Sequence, residues 1–120
     1  MKKATSVIKM QGFIWDFATD GGAVGSLFSG ITIPNNCIVT QISSQIILQY
    51  TGAGSQLGIG WVGALTMNNF ISGDPIGQVN TSQPNIATLQ AQRILITFIG
   101  APATAGRVLT MISYFESSGR

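Results

Sequence analysis

Gly58-Ile59-Gly60-Trp61-Val62-Gly63 reproduces G-x-G-x-x-G, the spacing that lets a backbone turn tightly beneath a pyrophosphate. That chemistry needs a strand before the glycines, a helix opening after them and an acidic residue about 20 positions on. No capped amphipathic pattern follows Gly63, and Asp74 comes too early. Leu57, Ile59 and Trp61 share one parity and Gly58 and Gly60 the other, so the stretch from Gln56 to Val62 reads as a strand. Its glycines admit a close neighbour. The remaining reactive groups are sparse. The sequence has no histidine, which removes imidazole bases, Ser-His-Asp triads and histidine metal ligands together. Asp16 and Asp20 flank one turn and would offer oxygen ligands to calcium, yet they lack the dense acidic spacing of known calcium loops, and Asp20-Gly21-Gly22 has a ready turn role. Cys37 stands alone after Pro34-Asn35-Asn36 without a base to activate it, and reads as a half-buried thiol at a strand start. The expectation is a protein without catalytic equipment that requires neither metal nor nucleotide.

The elements that would carry these residues form a chain of 120 residues, one domain's worth, with six basic and four acidic side chains. Charged residues make up 8% of it, against about a quarter in ordinary domains. Ser, Thr, Asn, Gln and 15 Gly stand in their place. A surface of neutral polar groups resists association weakly, which suits a chain packed against neighbours. The basic residues are scattered rather than clustered on a face, so no nucleic-acid partner is expected. No segment reaches about 18 continuous apolar residues, so no membrane helix is expected. Met1-Lys2-Lys3 imitates the start of a signal peptide, but the apolar run such a peptide needs does not follow, and the chain reads as unprocessed. Asn80-Thr81-Ser82 spells a glycosylation sequon that would matter only on a secretory route.

Period-two patterning dominates. Cys37 to Thr51 alternates Ile38, Ile42, Ile46, Leu48 and Tyr50 with Gln41, Ser43, Gln45 and Gln49, a long strand with a bend or bulge expected near Ser43-Ser44. Further strands are read from about Val7 to Ala18, Gly25 to Thr32, Arg93 to Ile99 and Arg107 to Glu116. The last is apolar on both parities, through Thr110, Ile112 and Tyr114 and through Leu109, Met111 and Phe115, so both of its sides are expected to be covered. Gly100 to Gly106 reads as the loop of a hairpin between the last two strands. Ala64 to Gln92 is the least regular region, with a helical turn over Leu65 to Phe70 and at most one strand around Ile86 to Leu89. Short strands separated by Gly, Pro and Asn turns predict an all-β fold: an antiparallel β-sandwich, most simply a single jelly roll of about seven to eight strands over residues 7–120, with an N-terminal arm over residues 1–6.

Several pieces together resemble small structural proteins of bacteriophages. They are the D-G-G-A turn at Asp20 to Ala23, the T-I-P-x-x-x-x-V segment at Thr32 to Val39, the I-x-I-T piece at Ile94 to Thr97, the T-A-G turn at Thr104 to Gly106 and the strand from Val108 to Tyr114. The resemblance implies a virion component on the outer capsid surface: a decoration (cement) protein, or a related minor capsid or head-fibre protein. It implies a homotrimer seated on the major capsid protein where capsomers meet. Two irregular regions are the expected capsid or subunit contacts, namely Lys2 and Lys3 in the arm and Met67, Asn68, Asn69, Phe70 and Ile71 in the excursion. The competing reading is a carbohydrate-binding, lectin-like jelly roll using Trp15, Trp61 or Tyr50 as an aromatic platform, which exposed coplanar rings would favour.

Overall fold

The computed structural model describes residues 8–61 and 64–116. Among these the chain forms β1 (Lys9–Asp16), a single helical turn α1 (Phe17–Asp20), β2 (Gly25–Ile33), β3 (Cys37–Thr51), β4 (Gln56–Trp61), β5 (Ala64–Ile71), β6 (Val79–Ser82), β7 (Ile86–Ala87), β8 (Gln92–Ile99) and β9 (Ala105–Glu116). Two antiparallel sheets stack face to face. One runs β1-β9-β3-β6, with the two-residue β7 added to β3, and the other runs β2-β8-β4-β5. The chain changes sheet at every step from β1 to β4 and from β7 to β9, while β4 and β5 pair within one sheet and β6 and β7 both add to β3. These strand orders are those of a jelly roll, so the expected all-β single jelly roll is the observed fold.

Alternation explains the core. Trp15 from β1, Ile42, Ile46 and Tyr50 from β3, and Val108 and Ile112 from β9 face Leu57 and Ile59 from β4, Phe70 from β5, and Ile94, Ile96 and Phe98 from β8. Trp15 sits centrally, with its ring centroid 5.1 Å from Phe98 and 6.2 Å from Tyr50, the latter edge to face. Its indole N–H donates to the Gly21 carbonyl at 2.8 Å, which satisfies its polar end.

The long strand β3 has the predicted limits, but its faces differ from a single alternation. Its register with β9 slips between Val39 and Gln41, between Ile46 and Leu48, and between Leu48 and Thr51. Each slip inserts an unpaired residue and rotates the following side chains to the other face. Cys37 and Val39 are therefore buried together with Ile42 and Ile46, while Leu48 faces solvent and Tyr50 turns back inside. The bend or bulge expected near Ser43-Ser44 falls to either side of that pair, at Val39/Gln41 and Ile46/Leu48: Ser43 and Ser44 themselves lie in regular pairing with Met111 and Thr110, and the Ser44 and Thr110 hydroxyls hydrogen bond at 2.9 Å.

Three further expectations are corrected. β8 and β9 are not a hairpin, since β8 pairs with β2 and β4 and β9 with β1 and β3. The segment between them crosses from one sheet to the other. Ala103 N–H donates to the Gly22 carbonyl and Thr104 N–H to the Thr51 carbonyl, both at 2.8 Å, so the crossing is tied at its far end. The region from 64 to 92 is strand-rich rather than irregular: Ala64–Ile71 is β5, paired with β4 from Gln56↔Ile71 to Trp61↔Ala64, and no helical turn forms there. β1 stops at Asp16, not Ala18, because the Asp16 carboxylate accepts from Ala18 N–H at 3.0 Å and caps α1.

A candidate assembly surface

The groups that looked chemical in the sequence are committed to holding the fold. Leu57, Ile59 and Trp61 of β4 point inward, whereas Gly58 and Gly60 take the other parity beside Thr97 and Leu95 of β8 and are buried there too. β4 leads into β5 rather than into a helix, so the glycine spacing belongs to a central strand. Val62 and Gly63 lie outside the described residues. One oxygen of Asp16 accepts from Arg107 Nε at 3.0 Å and Nη2 at 2.9 Å. That contact, then the Ala18 N–H, holds its carboxyl below the usual carboxylate range. Asp20 accepts from Asp16 N–H at 3.0 Å and closes the same turn. Cys37 is buried, and burial pushes its thiol up, away from the reactive thiolate. Trp15, Trp61 and Tyr50 are all buried, so none offers an exposed sugar platform.

The expected contact residues separate along β5. Lys2 and Lys3 fall outside the described residues. Phe70 is 0% exposed, directly opposite Leu57, and is a core residue rather than a surface anchor. Asn68 is 1% exposed. Its amide nitrogen donates to the Ile42 carbonyl at 3.0 Å, to Ser44 Oγ at 2.9 Å and to the Asn80 carbonyl at 3.2 Å, and its oxygen accepts from Ser82. This network joins the two sheets at the β5–β6 side, which explains a buried amide without a binding role. The sequon residue Asn80 belongs to it, donating from its side chain to the Asn69 carbonyl. Met67 is half-buried against the core. Of the described members of this group, Asn69 and Ile71 face solvent, with Ile71 in a row with Gln56 and Ile99 across the outer face of β5, β4 and β8.

The other sheet presents the broader apolar exterior. In β1, Met10 and Ile14 point outward at 60% and 55% exposure and alternate with Gln11, Phe13 and Trp15. Pairing sets Ile14 beside Leu109 and Gly12 beside Met111. The row continues through Gln45 to Val79 at the far edge. Leu109, Met111 and Phe115, whose parity suggested a covered side, are half-buried on this open face. The Met111 side chain leans across Gly12, its sulfur occupying the space where a Cβ on that residue would stand. Among the described residues the ion pair on this face is Arg107 with Asp16, internally neutralised. Sequence reasoning had not singled out Met10, Ile14 and Val79 because a strand's outer parity reads as solvent unless its neighbours' registers are known. The apolar part of this face therefore lies on β1 and β9, while Ser43, Gln45 and Thr81 make its β3–β6 side more polar.

No protein-family model matches the sequence, and no curated protein matches it. Solved structures do match in fold. A chain of the acid-stable capsid structure of Helicobacter pylori bacteriophage KHP30 superposes with a TM-score of 0.70 at 10% identity, covering 96% of this chain and 94% of that one. Chains of the cyanophage Pam1 capsid asymmetric unit and of the Ralstonia phage GP4 capsid each give a TM-score of 0.59 at 15% identity. They cover 94% and 97% of this chain and 86% and 87% of their own lengths. Over its described residues this chain has the jelly-roll fold of chains found in phage capsids.

Proposed function

We propose that this protein is a non-enzymatic structural component of a phage virion, a decoration (cement) protein that binds the outer surface of the head as a homo-oligomer and stabilises the lattice of the major capsid protein. The observation that carries the reading is the conjunction of an unadorned jelly roll, matched over nearly its whole length by chains of three phage capsids, with an exterior of apolar and neutral polar side chains. Polar side chains such as Asn68, Asp16 and Asp20 are engaged in folding, which leaves surface complementarity as the means of action. The trimer implied by the sequence resemblance, and the related head-fibre and minor capsid roles, belong to the same reading. Burial of Trp15, Trp61 and Tyr50 removes the support for a lectin. Ile71 and Asn69, on the outer face of β5, remain proposed lattice contacts, as do Lys2 and Lys3.

Binding to undecorated heads tests the proposal. Purified protein should co-sediment with heads lacking it and raise their resistance to heat, and Ile71→Asp should reduce retention while leaving the fold intact. Failure to bind heads, with retention on a glycan column instead, would replace the virion reading with the lectin one.

A further inference from the structure

A β-sandwich has four sheet edges, and this molecule treats them unequally. Exposed edges carry unpaired N–H and C=O groups that template pairing with another chain, so folded proteins usually shorten, bulge or cover them. β2 is broken: its register with β8 slips between Phe28 and Thr32, Gly30 adopts φ +91°, and the Ile31 N–H is taken by Ser29 Oγ. β5 is covered, since Asn80 and Ser82 side chains donate to the Asn69 and Met67 carbonyls. β6 and β7 are four and two residues long. β1 has none of these protections. It runs eight residues in unbroken register with β9, and among the described residues no strand pairs with its other edge. Its charges, Lys9 and Asp16, stand only at its ends.

We propose that the free edge of β1 pairs antiparallel with β1 of a second copy, about a twofold axis at Gly12, joining the two β1-β9-β3-β6 sheets into one. This deepens the reading of the protein as a self-associating virion component and rests on it for its biological setting, though not for its geometry. The register follows from side-chain chemistry. Centring on Gly12 keeps inward residues opposite inward ones and sets Met10 of each copy opposite Ile14 of the other, the two exposed apolar side chains of the strand. Gln11 then faces Phe13, Lys9 faces Trp15, and no like charges meet. Centring on Phe13 instead would set Ile14 opposite Gly12 and Met10 opposite Asp16, so the two exposed apolar side chains of the strand would no longer meet.

Met111 supplies an independent reason. Its side chain lies across Gly12 toward the open edge and away from β3, occupying the space a Cβ would need. With two copies paired at Gly12, the two Met111 side chains approach each other over a strip of backbone without side chains. The outward rows then read Leu109, Ile14, Met10 and Ser113 across the junction, an apolar band that either copy alone leaves exposed. A cavity of about 160 Å³ between the β1 and β2 edges, lined in part by Phe13, Leu27, Phe28 and Ile96, opens beside the same strand and would be narrowed by the pairing. The contact is twofold, so it assembles even numbers of copies, and a trimer would require a different interface.

Charge variants on the purified full chain test the pairing and its register. Wild type should show a mass at least twice 12.6 kDa by light scattering, in an even multiple. M10K/I14K, which sets lysine against lysine twice across the axis, should shift the assembly to half its mass, whereas M10K/I14E, which sets lysine against glutamate twice, should restore it. Both substituted positions are solvent-facing, and an unchanged far-ultraviolet circular dichroism spectrum would establish that each variant is folded. A wild-type mass of one or three copies, or equal masses for all three proteins, would overturn the proposal. Reversal of the pattern, with M10K/I14E dissociated and M10K/I14K intact, would overturn the register and with it the inference. Head binding is measured separately: loss of pairing with retained head binding leaves the virion reading standing, and an intact pair that ignores heads removes that reading alone.

Discussion

Neighbouring residues of β5 make opposite commitments, and substitution should expose the difference. Phe70→Ala empties a site packed between the sheets and should cost about 3–5 kcal/mol in urea unfolding. Ile71→Asp, one residue on and outward, should change stability by no more than about 0.5 kcal/mol. Equal losses for the two would contradict the assigned faces. At the other end of the molecule, Asp16 links acid sensitivity to a single contact. Its folded-state pKa lies below the ordinary value of 3.8, chiefly through Arg107, so the stability it contributes is present above that value and is lost as pH falls through the folded one. Asp16→Asn keeps an oxygen for the Ala18 N–H but removes the charge. The variant should be less stable than wild type at neutral pH, and the gap should close on acidification; a gap that widened would reverse the sign of the argument. The effect should be modest, because Arg107 is partly exposed.

Among the elements, the connection between β8 and β9 turns on one glycine. Gly100 adopts φ +86°, and a Cβ there would stand 2.6 Å from the Gly54 carbonyl oxygen, a backbone atom with little room to yield. Gly100→Ala should therefore destabilise by more than about 2 kcal/mol, since backbone strain and overlap act together; a melting temperature equal to wild type would mean that the crossing relaxes freely. The same connection marks where sequence reading stopped. The limits of Cys37–Thr51 are legible to the residue, and those of β2, β4, β8 and β9 to within about two residues, because period-two runs stand between Gly, Pro and Asn turns. The faces of β3 are not, because three register slips break its alternation. Gly100 to Gly106 looks like a hairpin because Gly and Pro mark a reversal without saying which sheet receives the next strand. β5 was missed for a different reason: its inward positions include Asn68, whose polarity hid the alternation that its buried hydrogen bonds make sense of. The outer apolar face of β1 and β9 was half visible. Leu109, Met111 and Phe115 were noted as a second apolar parity, but joining them to Met10 and Ile14 requires the β1–β9 register, a contact between residues about 100 positions apart.

For the whole molecule, the low charge content sets the physical character of any association. Two ion pairs are formed among the described residues, Arg107–Asp16 and the exposed Lys9–Glu116 at 3.7 Å, and neither leaves a field of one sign over a sheet face. Self-association through apolar side chains and paired backbone edges should then respond weakly to salt. Raising salt from about 0.1 M to about 1 M shortens the Debye length from ~10 Å to ~3 Å and removes most attraction between exposed charges. The dissociation constant of the oligomer, measured by sedimentation equilibrium, should change by less than about threefold over that range, because exposed ion pairs contribute little even at low salt. A protein held to a polyanion by several phosphate contacts would lose affinity by about 10³ or more under a milder change. Temperature should act where salt does not, since burial of apolar surface gives association a negative heat-capacity change and weakens it on cooling. A strong salt dependence with a flat response to temperature would place the contact on charged groups and away from the faces carrying Met10, Ile14, Leu109 and Ile71.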